Sequence, residues 1–258
     1  IAWYHMNEGP PTPPGEYSPK DPTLAWYHLN EGTGTMAGDS SGNENHGALD
    51  APTWTTGLYD DGLSFDGNDR ITVSDSLELN PTEAITIEAW VNPSVDKKNN
   101  YVLCKMTPAG ADYSYGLKLE NTYTVSYSEI GAFITNPLGN IYFAYGGSVP
   151  TGTWTHIAMT YEMNPTDPTH IKLYKNGVEV TYRYDPTPNH GTDTIPAGTL
   201  IRTNSGPLTI GCLPIATPLY YQGVMDEIRI LGRALTAEEI AADAGYSPIV
   251  LDSSGNDN

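Results

Sequence analysis

The chain is poor in positive charge. Only 12 Lys and Arg stand against 31 Asp and Glu, a formal charge of -19 with a pI near 4.4. A surface of that sign repels polyanions, which excludes nucleic acid as a partner and gives no attraction to anionic lipid. Long apolar runs are also missing: no stretch approaches the roughly 18 residues needed to span a bilayer, so no membrane insertion is expected. Cysteine is scarce. Cys104 and Cys212 lie far apart without CxxC spacing, which excludes a zinc-ribbon or thioredoxin-type site. The sequence opens on Ile1 with no charged segment leading into an apolar one, the pattern expected of a processed or excerpted chain.

Phe is nearly absent as well, with 3 residues against 18 Tyr and 5 Trp. The aromatic stock is therefore amphipathic and suited to half-exposed sheet surfaces. Gly (26) and Pro (21) are abundant, which marks a turn-rich folded chain rather than a disordered one.

Repetition is the clearest internal signal. Ile1-Ala2-Trp3-Tyr4-His5-Met6-Asn7-Glu8-Gly9 recurs as Leu24-Ala25-Trp26-Tyr27-His28-Leu29-Asn30-Glu31-Gly32, with two differences. The intervening Pro10 to Pro22 segment reads as a polyproline-type linker. Near the other end, Asp252 to Asn258 repeats Asp39 to Asn45. Three parts follow: a strand copy and linker over residues 1–23, one domain over 24–247, and a tail over 248–258.

The domain reads as short strands separated by turn clusters, the rhythm of an antiparallel sandwich. Ile85, Ile87, Ala89 and Val91 alternate with Thr86, Glu88, Trp90 and Asn92, a period of two that fits a sheet. Asn176-Gly177 predicts a type I′ hairpin. Thr236 with Glu239 predicts a capping box on one short helix that Gly245 closes.

Several of these stretches together resemble the laminin-G-like, or concanavalin-A-like, jelly roll of secreted and cell-surface proteins: Leu63-Ser64-Phe65-Asp66-Gly67, Ile85 to Val91, Trp154 to Ala158, Tyr174 to Gly177, and Met225-Asp226-Glu227-Ile228-Arg229-Ile230 with Arg233 to Ile240. The resemblance implies an all-β, two-sheet antiparallel jelly roll with one short C-terminal helix, at an extracellular or cell-surface location. The fold hosts lectins, glycosidases, adhesins and spacers alike, so it does not fix function.

In the resembled family an Asp at the start of the last strand often binds a structural calcium. The matching residue is Asp226, which shares strand parity with Val224, Ile228 and Ile230 and so is expected to point inward. Carbonyls around Asn30, Glu31, Asp66 and Gly67 would complete an oxygen set of the kind calcium takes. The alternative is an Asp bonded to backbone N–H groups and to Arg70 or Arg229. The Asp39, Asn43 and Asn45 loop reads as a second oxygen-rich cation loop, or as an Asx-turn that satisfies its own backbone. Cys104 and Cys212 each end a strand whose following loop lies at the same edge in the resembled fold. A disulfide joining them is expected, with two buried free thiols as the alternative.

Catalysis is not expected. Laminarinase-type enzymes on this fold carry a Glu-x-Asp-x-x-Glu strand, and no strand here has it. Neither HExxH nor GxSxG occurs. Asp112 falls where a pentraxin-like ligand calcium would find its first acid, but the second loop, from Cys212 to Ala216, has none. Tyr113, Tyr115, Tyr127, Tyr142, Tyr145, Tyr220 and Tyr221 are candidate stacking platforms for sugar rings. Two partners remain: an extracellular glycan, or the chain itself, polymerising head to tail through its duplicated ends with Trp3, Tyr4, Asp252 and Asn256 at the joint. A unit cut from a tandem array would show the same terminal pieces.

Overall fold

The computed structural model describes residues 22–108, 112–121, 128–183 and 193–245. The assembly residues Trp3, Tyr4, Asp252 and Asn256, and the candidate platform Tyr127, lie outside them. In chain order the strands are β1 (Thr23–Tyr27), β2 (Met36–Ala37), β3 (Gly47–Asp50), β4 (Thr53–Thr56), β5 (Asp61–Asp66) and β6 (Arg70–Val73). Next come β7 (Ala84–Pro93), β8 (Asn100–Thr107), β9 (Asp112–Glu120), β10 (Ser128–Thr135), β11 (Ile141–Val149) and β12 (Thr155–Glu162). Last are β13 (Lys172–Lys175), β14 (Val178–Glu179), β15 (Leu208–Ile210), β16 (Cys212–Leu213), β17 (Leu219–Tyr220), β18 (Gln222–Leu231) and the helix α1 (Ala237–Asp243).

Two eight-stranded antiparallel sheets make the sandwich. The first runs β14-β13-β12-β7-β18-β5-β4, with β1 added on β18. The second runs β11-β10-β9-β8-β15-β6-β3-β2. Alternation selects which side chains enter between them. On β7, Ile85, Ile87, Ala89 and Val91 are fully buried and join the core with Leu117, Leu119, Ile130, Ala132 and Ile134 of the second sheet. Both predicted signals of local chemistry are present: Asn176 and Gly177 have φ of 47° and 80°, as a type I′ turn needs, and Thr236 and Glu239 close a full capping box.

On the outer face of the first sheet, α1 packs Ile240 with Ala158, Tyr174, Leu231 and Leu235, and the part beside this cluster is polar. Glu88 Oε1 accepts from Arg229 Nε at 2.6 Å, and Arg229 also pairs with Asp243 of α1. Trp26 Nε1 donates to Glu227 Oε2 at 2.9 Å, and His28 Nδ1 lies 2.8 Å from Glu227 Oε1. Buried charge is tolerated here because each carboxylate meets a partner of opposite sign or a donor.

A β-bulge corrects the expected orientation of Asp226. Between Asp226 and Arg229 the register on β7 shifts, and Glu227 takes φ of 47°, the left-handed region. Met225, Ile228 and Ile230 therefore face the core, while Asp226 sits opposite Trp90 on the other side. Asp226 is buried there by the Gly57–Asp61 turn and not by the sandwich interior: its Oδ2 accepts from the backbone N–H groups of Leu58 (2.8 Å) and Tyr59 (2.9 Å).

Candidate functional site: the outer face of the second sheet

The β8, β9, β10 and β11 strands present their outward residues on one continuous face. Its floor is made by two glycines. A Cβ on Gly116 would come within 2.5 Å of the Phe133 ring, and one on Gly131 within 2.7 Å of the Tyr145 ring, so both rings lie flat across the backbone of the neighbouring strand. Tyr113 meets Phe133 edge-on at 5.8 Å, Phe133 and Phe143 lie 6.0 Å apart, and Phe143 stacks on Tyr145 at 5.8 Å and 12°. Phe133 is buried, whereas Tyr113 and Phe143 are half-buried. The β16–β17 hairpin borders this cluster through Leu213, Ile215 and Leu219.

Toward the β9–β10 end the face becomes charged. Lys118 pairs with Glu120, and Arg183 Nη1 pairs with Glu129 Oε2 at 2.9 Å. Both cations also sit over tyrosines: Lys118 Nζ lies 5.3 Å from the Tyr101 ring centre and 5.4 Å from that of Tyr145, and Arg183 lies 5.1 Å from the latter. Burial pulls the Lys118 ammonium below its ordinary value, against the opposing pull of Glu120. Burial also pushes the Glu129 carboxyl up, against Arg183. Glu120 and Glu129 stand directly opposite one another across β9 and β10. A search for paired carboxylates along single strands overlooks this cross-strand pair. Each member is tied to its own cation, which leaves neither as an unengaged acid or nucleophile.

Half-exposed ring faces beside buried charged groups suit an amphipathic ligand, one with apolar C–H surfaces and hydroxyl edges. Of the ligand residues read from sequence, Tyr113 belongs to this face, and Tyr220 stands half-buried on the bordering hairpin. Tyr115 and Tyr221 are corrections: both are fully buried in the sandwich core, where Tyr115 donates to Leu79 O at 3.0 Å and Tyr221 to Val224 O at 3.3 Å. Tyr142 also lies on the inner side, packed against the core. Asp112 is held by Arg202 at 2.6 Å. Phe133, Phe143, Lys118, Glu120, Glu129 and Arg183 were missed. The available signal was the placing of Gly116 and Gly131 between outward aromatic positions of adjacent strands.

Cys104 and Cys212 are free and buried, which corrects the expected disulfide. Thr209, the register partner of Cys104, donates its hydroxyl toward the carbonyls of Cys104 (3.2 Å) and Cys212 (2.7 Å). Burial raises both thiols, Cys212 to about 11.

The expected calcium ligands fall into three separate places. Asp66 and Gly67 form their own turn, with Asp66 N donating to Asp69 at 2.6 Å. In register Asp66 lies opposite Gln222, four residues from Asp226, or about 13 Å along the strand. Asp39 accepts four hydrogen bonds: Trp26 N and Ser41 N on Oδ1, Ser41 Oγ and Asn45 N on Oδ2. Asn43 and Asn45 turn their amide nitrogens to Leu24 O at 3.1 and 2.8 Å. This loop is a clasp on β1, and each Asp39 oxygen already accepts from two donors. Asp226 takes a third donor, Glu227 N at 2.8 Å, so three backbone N–H groups engage its oxygens, and burial pushes its carboxyl up to about 7. Glu31 accepts from Gly38 N at 2.6 Å. Among the described residues no group of three or more His, Cys, Asp and Glu could hold a metal. One set of oxygens does converge, where the Asn30 side-chain amide reaches Tyr59 O (2.9 Å) and Asp61 O (3.2 Å). With nitrogen inward the amide donates to both, and with oxygen inward three oxygens face one another and require a cation.

The pattern of the concanavalin A-like lectin/glucanases superfamily, in its laminin-G-like form, matches residues 65–241, and the chain belongs to that superfamily. The fold is similar to domain 4 of an extracellular GH43 arabinanase from Geobacillus stearothermophilus, solved with arabinotriose, at 20% identity and a TM-score of 0.59 over 87% of this chain and 98% of that one. It is similar to the binding domain of Paraclostridial Mosquitocidal Protein 1 (15%, TM-score 0.59, 86% of this chain) and to that of botulinum neurotoxin DC in complex with SialylT (12%, TM-score 0.57, 87%). The chain spans 51% of each of those two toxin chains. No curated protein matches it in sequence. No helix among the described residues is long and apolar enough to cross a membrane.

Proposed function

We propose that the protein is a non-catalytic carbohydrate-binding module of an extracellular or cell-surface protein, with its site on the outer face of β8 to β11. The observation that carries this reading is the pair of half-buried rings, Phe143 and Tyr113, set on the buried Phe133 and Tyr145 and closed at one end by Lys118, Glu120, Glu129 and Arg183. Sugar rings offer apolar faces to such rings and hydroxyls to such charges. The formal charge of -19 selects neutral over sulfated or uronic polymers. The structural neighbours include a domain solved with arabinotriose and one solved with SialylT, which supports a glycan as the ligand class. Affinity electrophoresis through gels containing neutral polysaccharides tests it: retardation by at least one, lost in Phe143→Ala, is expected. Free migration through the whole panel refutes it.

We place the calcium implied by the resemblance at Asn30 with the carbonyls of Tyr59 and Asp61, and Asp226 supports that turn from beneath. Self-assembly through the duplicated ends, the other partner read from sequence, would use β1 and so leaves this face open.

A further inference from the structure

The β1 strand is held on both edges and through its side chains. Its inner edge pairs with β18, with Ala25 opposite Ile230 and Tyr27 opposite Ile228. Its outer edge is sealed by the clasp loop: Trp26 N donates to Asp39 Oδ1 at 2.9 Å, Ser40 N to Trp26 O at 2.8 Å, and Asn43 Nδ2 to Thr23 O at 2.8 Å. Tyr27 enters the core and its hydroxyl donates to Asn45 O at 2.6 Å. Trp26 and His28 both engage Glu227.

Residues 1–9 repeat these groups from Leu24 onward, Thr23 excepted. Trp3, Tyr4, His5, Asn7 and Glu8 stand where Trp26, Tyr27, His28, Asn30 and Glu31 stand, and the only changes, Ile1 for Leu24 and Met6 for Leu29, replace one apolar side chain by another. The clasp is repeated too, with Asp252, Asn256 and Asn258 at the positions of Asp39, Asn43 and Asn45. The 258 residues thus contain the β1 sequence twice and the clasp sequence twice, with one β18 among the described residues.

We propose that residues 1–9 of one copy of the chain dock in the β1 position of a second copy. The incoming strand makes the hydrogen bonds of the strand it replaces, so exchange is close to neutral at each site. Its extent is governed by concentration against the tethered strand, whose effective concentration is on the order of millimolar for a short connection. The released residues 24–32 find a second clasp in residues 252–258. The Pro-rich residues 10–22 act as a semi-rigid spacer of about 3 Å per residue, which holds the two sandwiches apart. Donor strand and acceptor slot are different surfaces, so the contact is heterologous and continues from copy to copy.

Light scattering on the full chain, over about a hundredfold range reaching the millimolar scale, tests this against a Trp3→Ala/Tyr4→Ala variant. Both substitutions fall outside residues 22–245 in sequence, and a melting temperature equal to the parent's at dilute concentration checks that the variant folds. The expected result is an average mass rising to at least twice the 27.9 kDa of one chain, with the variant staying at the mass of one. A full chain that remains monomeric throughout, or a variant that associates as the full chain does, overturns the proposal.

Discussion

Replacing Asp39 by Asn removes one acceptor from a carboxylate that accepts four hydrogen bonds. Trp26 N and Ser41 N both point at Oδ1, so the amide nitrogen is forced to the Oδ2 side. There the Ser41 hydroxyl rotates to accept, but Asn45 N–H is left facing a donor. A hydrogen bond to a charged acceptor contributes about 1.5 to 3 kcal/mol, and the remaining bonds to Oδ1 weaken once the charge is gone. Because Asp39 is only half-buried, water recovers part of this. The expected loss is about 2 to 4 kcal/mol, which for a domain of this size lowers Tm by roughly 4 to 16 °C. Urea unfolding followed by tryptophan fluorescence reads it as a lower midpoint at constant slope. A loss below about 0.5 kcal/mol, the range of ordinary surface substitutions, would show that the loop does not hold β1.

Tyr113→Ala and Phe143→Ala should weaken glycan binding while leaving urea midpoints close to the parent, since both side chains lie outside the sandwich core; binding and unfolding measured on the same samples separate the two effects. Excess chelator should lower Tm in the parent and leave Asn30→Ala unmoved, and identical melting of the parent with calcium and with chelator would assign Asn30 as a donor instead. Cys104 and Cys212, both buried with raised thiols, should resist iodoacetamide at pH 8 in the native protein and react fully in urea, as mass spectrometry will count.

The features legible in the sequence were those written by local chemistry. Alternation along residues 85 to 91, the Asn176-Gly177 turn and the Thr236–Glu239 cap each depend on neighbours within a few residues, and each is present as expected. Parity failed wherever a bulge intervened. Counting by twos from Ile230 through Ile228 to Asp226 puts the carboxylate inside, but the left-handed Glu227 inserts an extra residue and moves it out. An acidic residue buried beside the bulge gives no sign of this in composition. The candidate site was harder still, because Glu120 and Glu129 are neighbours only through strand register, which single-strand patterns do not encode. The oxygen-rich loop was noticed for the right residues, and the structure joins it to the backbone of β1, the self-bonded turn that was its alternative reading.

The glycines beneath Phe133 and Tyr145 set a limit on how this surface can diversify. Any side chain added at Gly116 or Gly131 collides with a ring already lying across it, so the floor is closed to gradual remodelling by substitution within the sheet. New preferences must enter from the rim instead, through the β16–β17 hairpin and the segment that joins β7 to β8, where length and composition change without disturbing the platform. A lineage built on this chain would keep one invariant stage and vary what stands around it.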